Sequence, residues 1–305
     1  MALSTSRLEP SFKRPPSRVA VCRVSSYEVD LQAVLDESLG EFDLPVRGKS
    51  VLLKPNFVGA DSSRAVNTHP AVVVAAREAF LRLGAASVVI AEGPALERDT
   101  EAIVEMIGLR DYLGPLRSRF VDLNVDDVEA VKLQTQASTL GQLYFPKTIL
   151  RADFIVSMPK MKTHHWAGVT LSLKNMFGIV PGNCYGWPKN ILHWAGISRS
   201  VLDINSTVRS DFAIADGIIG MEGDGPTQGN PRASGVLILG NDPVAVDATC
   251  ARVMGLVPER IGYLSRAGVL LGHLREEKIE QIGEKVGTVR APFEVIPAFK
   301  HLRMQ

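Results

Sequence analysis

Apolar and polar positions along the chain follow two alternating periods. Short, β-branched runs at residues 18–24 (RVAVCRV), 50–53, 87–91, 154–156, 212–219 and 235–239 read as strands. Between them, residues 31–42, 71–83, 100–113, 191–208 and 244–254 carry apolar side chains at helical spacing. Gly84 and Gly255 stop two of these helices, and Asn67 or Thr68 is placed to start the one that opens at Pro70. Strands alternating with helices predict an α/β protein with a mainly parallel open sheet and helices on both faces. Residues 129–145 break the rhythm and predict a small antiparallel excursion at the edge. Residues 149–158 then return to the sheet.

The densest chemistry lies at residues 153–182 (DFIVSMPKMKTHHWAGVTLSLKNMFGIVPG). A strand through Phe154 and Val156 is expected to end at Pro159, which has no N–H for a ladder. Lys160, Lys162, His164 and His165 then form a basic loop. Its lysines are expected to be partly solvated, with removal costing about 0.5 kcal/mol or less. Residues 169–177 read as a short helix closed by Gly178. That helix carries Lys174 and Asn175 inside an apolar run, where polar groups need partners.

Five strand candidates run directly into polar turns: Lys54-Pro55-Asn56, Glu92-Gly93-Pro94, Pro159-Lys160, Asp216-Gly217 and Asn241-Asp242-Pro243. Parallel strands would bring all five turns to one edge, where open α/β sheets bind ligands. Lys54, Asn56, Lys160, Lys162, His164, Asp216 and Asp242 would then surround one crevice, which by its charge suits a small anionic ligand. His164, Lys162 and Lys174 are the catalytic candidates, His164 as general acid/base or metal ligand. Lys54, Asn56, Lys160, Asn175 and His69 are the substrate-binding candidates. Residues 220–231 (GMEGDGPTQGNP) place Glu222 and Asp224 among glycines. With Asp242 they form a candidate set for a divalent metal, with salt bridges to the basic cluster as the alternative. Asp247 either faces the crevice or caps its helix, and residues 182–189 are a candidate lid.

Composition narrows the classes. A formal net charge of +1 and 6% aromatic residues argue against a nucleic-acid or anionic-membrane partner. Cys22, Cys184 and Cys250 are scattered, so no iron–sulfur cluster is expected within one chain. No run approaches the eighteen or so apolar residues of a membrane span, and residues 1–17 lack a signal-peptide core. Residues 1–17 are expected to be a disordered extension, 18–305 a single α/β domain, and the protein cytoplasmic.

The motifs Pro159-Lys160-x-Lys162-Thr163-His164 and Ser172-Leu173-Lys174-Asn175-x-Phe177-Gly178 resemble those of the domain of unknown function 362 family. Lys54-Pro55-Asn56, the run from Asp216 to Pro226 and the run from Asp242 to Asp247 fit the same pattern. The resemblance covers nearly everything after the first seventeen residues but names no reaction. Many relatives carry an additional ferredoxin-like region binding four-iron clusters, which implies redox chemistry in some of them. This chain has no such region, so redox work would draw on a separate electron donor. Two functions are expected from these residues: an enzyme acting on a small anion by acid–base or metal-assisted chemistry, or a non-catalytic binder of a metal ion or anionic metabolite.

Overall fold

The structure, a computed structural model, describes residues 16–61, 63–96, 98–113 and 120–304. Of the expected extension, residues 1–15 lie outside this range, whereas Ser17 already belongs to the first strand. The strands are β1 (Ser17–Arg23), β2 (Ser50–Pro55), β3 (Ser87–Glu92), β4 (Phe120–Asp122), β5 (Val128–Lys132) and β6 (Gln142–Pro146), followed by β7 (Phe154–Met158), β8 (Lys160–His164), β9 (Gly168–Thr170), β10 (Phe212–Glu222), β11 (Asn230–Gly240) and β12 (Ile279–Gly283). They build one large sheet in the order β12-β1-β11-β10-β7-β2-β3-β4, with β8 and β9 branching from β10. β5 and β6 pair separately as the expected antiparallel excursion.

Period-two alternation sorts each strand's side chains between two cores. Leu52 and Ile155 enter one core, while Val51, Leu53, Phe154 and Val156 enter the other. Helices α1 (Leu31–Gly40), α2 (Pro70–Arg82), α3 (Thr100–Met106) and α4 (Leu109–Leu113) cover the second core. The first core takes α5 (Lys147–Arg151), α6 (Ser172–Asn175), α7 (Gly182–Tyr185), α8 (Asn190–Trp194), α9 (Ile197–Thr207), α10 (Pro243–Val253), α11 (Gly262–Leu270) and α12 (Val286–Val289). The open α/β class read from the sequence is thus the architecture that forms.

Several local expectations are corrected. Residues 160–164 are a buried strand, not a solvated loop. Pro159 removes one donor but its carbonyl still accepts from the Asp216 amide at 2.9 Å, so the chain resumes pairing as β8 beside β10. Residues 169–177 divide into β9 and the single turn of α6. The helix expected over 100–113 breaks at Gly108 (φ 70°), and that over 191–208 at Gly196 (φ 93°). His69, rather than Asn67 or Thr68, caps α2, its Nδ1 accepting from the Ala71 amide.

The sheet is parallel at its centre, but β11 runs antiparallel to both β1 and β10. Asn241-Asp242-Pro243 therefore emerges at the edge opposite the other four turns. Glu222 pairs with Asn230 and Ala213 with Gly240 at the two ends of the β10–β11 hairpin. Asp242 thus lies roughly 30 Å from Glu222, at about 3.3 Å per residue.

Candidate functional site

At the carboxyl edge of β2 and β3, Lys54 is fully buried and donates to both oxygens of Glu92 at 2.7 and 2.6 Å. Glu92 also accepts from the amides of Phe57 (3.0 Å) and Gly93 (2.8 Å), so a buried carboxylate has donors on both oxygens. Asn175 on α6 ties this pair to its own element. Its Oδ1 accepts from Lys54 Nζ at 3.0 Å, and its Nδ2 donates to the Lys54 carbonyl and Ser157 Oγ. Burial lowers the Lys54 pKa while Glu92 pulls it back up.

Lys54, Asn56, Glu92, His164, Lys174 and Asn175 line a cavity of about 70 Å³, with Thr170, Phe177 and Pro226 also in its wall. Lys174 Nζ lies 4.0 Å from the Phe177 ring centroid. Burial and, after it, the Lys54 charge bring the Lys174 pKa down to about 7. His164 Nδ1 accepts from the amides of Trp166 (3.0 Å) and Ala167 (3.2 Å). Burial, then the Lys174 charge, lower the His164 pKa to about 2, so this imidazole stays neutral at physiological pH. Asn56 Oδ1 and Thr170 Oγ1 are buried in the same wall and have no hydrogen-bond partner among the described residues.

A second buried network adjoins the first on β8. Lys160 Nζ donates to Asp216 Oδ2 at 2.6 Å and to Tyr27 Oη at 2.9 Å. Asp216 also accepts from the Tyr27 hydroxyl and the His69 amide. Tyr27 and His69 stack at 3.8 Å. Burial lowers the His69 pKa to about 4, although Asp216 raises it, so that ring is neutral as well. Lys162, fully buried between the networks, donates to the Val66 carbonyl at 2.7 Å. Burial, then Lys160 and Lys174, push its pKa well below that of a free lysine. The expected solvation of Lys160 and Lys162 is therefore overturned: β8 runs inside the protein, and Lys160→Ala would strand the Asp216 charge.

Two further residues, Lys189 and Asp247, support these networks from other elements. Lys189, in the segment read as a lid, is 1% exposed and donates to the Gly93 carbonyl at 2.6 Å and the Gly178 carbonyl at 3.4 Å. It adopts φ 64°, ψ 46°, an uncommon backbone for a side chain with Cβ, and burial brings its pKa down to about 7. Asp247 on α10 accepts from the amides of Ser172 (2.7 Å) and Leu173 (3.1 Å), so it holds the first turn of α6 and through it Lys174 and Asn175. Burial raises the Asp247 pKa to about 7, against the lowering by these donors.

The metal candidates do not converge. Asp242 caps α10 through the Val244 and Ala245 amides and accepts from Ser17 and His273 at the opposite edge. Glu222 Oε2 accepts from the Glu294 amide, and Asp224, exposed at the hairpin tip, lies 3.5 Å from His165 Nδ1. Asp224 thus meets a neighbour of the basic strand, and Glu222 approaches Arg232 at 3.9 Å.

Gly178 is required by close approach. A Cβ there would overlap the Glu92 carboxylate and Lys54 Nζ. Gly178→Ala is expected to cost about 3 kcal/mol, the upper part of the range for overpacking, read as a lower midpoint in urea at unchanged slope. A loss under about 0.5 kcal/mol would show that the ion pair has room to move.

An open α/β sheet with a lysine-lined cavity at its parallel edge is the class of protein that these residues define. The chain belongs to the domain of unknown function (DUF362) family, whose sequence profile matches residues 51–252. A thylakoid-associated protein of Synechocystis sp. is 29% identical over 289 residues, covering 85% of this chain and 84% of that protein. Similar solved structures include a Thermotoga maritima protein at TM-score 0.46 and 13% identity, over 75% of this chain and 59% of that one. The lactate racemase apoprotein of Thermoanaerobacterium thermosaccharolyticum gives TM-score 0.41 and 16% identity, over 69% and 53%. The chain therefore spans between half and two thirds of these two structures. Among the described residues no helix is long and apolar enough to cross a membrane.

Proposed function

We propose that the protein is an enzyme that acts on a small anionic molecule by acid–base chemistry, with Lys174 as the proton-transfer group. The observation that carries this is Lys174 in the cavity wall with a pKa of about 7, next to unpartnered polar atoms of Asn56 and Thr170. A proton-transfer group works best when its pKa lies near the operating pH. Neutral His164 offers its Nε2 as a hydrogen-bonding group, since Nδ1 is engaged by two backbone amides.

The anionic character of the ligand follows from a charge count. Lys54 and Lys160 have carboxylate partners, whereas among the described residues Lys162, Lys174 and Lys189 have none. Lys162 and Lys189 are buried and Lys174 half-buried, and cations held away from water without counter-ions either lose their protons or recruit an anion. A bound carboxylate or phosphate would meet both needs, raising the Lys174 pKa as it enters.

Metabolite profiling of a deletion strain, complemented with wild type or Lys174→Met, tests this reading. An enzyme's loss shifts a substrate and a product in opposite directions, and Lys174→Met should leave that shift uncorrected. Full correction by Lys174→Met would remove Lys174 from the chemistry. A single metabolite changing alone would favour a carrier.

A further inference from the structure

The Phe177 ring, part of the lysine cavity, stands edge-on to His193 at 6.1 Å. His193 in turn lines a second and much larger cleft of about 630 Å³ between α8, α9 and α11. Its other walls include Trp166, Trp194, Arg199 and Arg266. Trp166 is 61% exposed and Trp194 82%, a large apolar surface left in water. The Trp166 ring packs edge-on to His193 at 5.2 Å. Among the described residues, neither Arg199 nor Arg266 forms an ion pair or a hydrogen bond through its side chain.

We propose that this cleft binds a planar aromatic anion, with its ring against the indoles of Trp166 and Trp194 and its charged group on Arg199 and Arg266. Indole faces favour offset or edge-on aromatic rings. A guanidinium pairs with a carboxylate or phosphate through two parallel N–H donors. Cleft volume points to a small molecule, since ligand sites typically enclose about 300–1,000 Å³. An aromatic carboxylate and a nucleotide share this chemistry, so both are tested. The inference does not rest on proton transfer at Lys174.

Isothermal titration calorimetry with 2-naphthoate and with AMP, each at low salt, provides the test. At least one probe should bind saturably, and which one binds identifies the source of the anion. Affinity should fall at least tenfold in Arg266→Gln and in Trp194→Ala and should be unchanged in Lys174→Met. Both Arg266 and Trp194 are exposed, so these variants should fold. Saturable binding of neither probe would overturn the proposal. So would binding that both cleft variants retain. Co-sedimentation with phosphatidylglycerol vesicles that depends on Trp194 and Arg266, without probe binding, would assign the patch to a lipid surface instead. If the probes bind but metabolite profiles ignore Lys174, the cleft stands and the catalytic reading falls.

Discussion

Glu92→Gln is expected to destabilise the protein by about 3–5 kcal/mol at pH 7, the usual result of breaking a buried ion pair from one side. Glu92 is 1% exposed and accepts from Lys54 Nζ and from the amides of Phe57 and Gly93. A glutamine keeps an acceptor for one amide but leaves the Lys54 charge without a counter-ion in a fully buried position. Burial already lowers the Lys54 pKa, and without Glu92 nothing of comparable size raises it. The folded variant would then bind fewer protons than the unfolded chain up to about pH 10.4, so its stability should recover as pH rises towards that value. Lys54→Met in the same chain should restore most of the loss by removing the stranded charge. Equilibrium urea unfolding at pH 7 and pH 9.5 measures all three terms. A loss below about 1 kcal/mol, flat with pH, would show that water reaches the pair.

Lys174→Met should behave in the opposite sense, abolishing function while stabilising the fold. On a substrate turned over by the wild type, the expected fall in kcat is about 10²–10⁴-fold, the range for a positioned acid–base group. The stability gain follows from linkage. A lysine whose folded pKa sits near 7 rather than 10.5 binds fewer protons folded than unfolded between those values. Wild-type stability therefore rises from about pH 7 to 10.5, and below pH 7 the full cost of the buried charge is present. Methionine removes that cost, so the gain in melting temperature should be largest at or below pH 7 and shrink above pH 9. Equal activity, or a variant less stable at every pH, would make Lys174 a structural residue.

Legibility in the sequence depended on how far each signal reached. Strand and helix periods at residues 50–55, 70–82 and 243–253 sit in single-environment elements, so local pattern and final structure agree. Lys160–His164 reads as a loop because a proline and four cationic or polar side chains normally mean solvent. Here the partners that make burial tolerable, Tyr27 and Asp216, are 133 and 56 residues away. Lys54, Asn56, His164, Lys174 and Asn175 are all candidates from the sequence, and the structure brings them to one cavity. Glu92 appeared only as part of a strand-end turn, although a carboxylate at the edge that collects Lys54 is a signal for its counter-ion. Lys189 had no such signal, because its backbone conformation and burial arise from the packing of residues 182–189. Asp242 was misplaced for a topological reason: the direction of β11 is set by its hairpin with β10, not by its own sequence.

With a pKa of about 7, the Lys174 amine is expected to be half-deprotonated at neutral pH in its cavity. Trace labelling with acetic anhydride across pH 5–11, resolved by peptide mass spectrometry, reads that amine directly, since only the neutral form reacts. Lys174 reactivity should reach half its maximum near pH 7, about three units below an exposed lysine, and millimolar phosphate or acetate should protect it. Lys174 labelling only above about pH 10, or with no protection by either anion, would remove Lys174 as the proton-transfer group of an anion site.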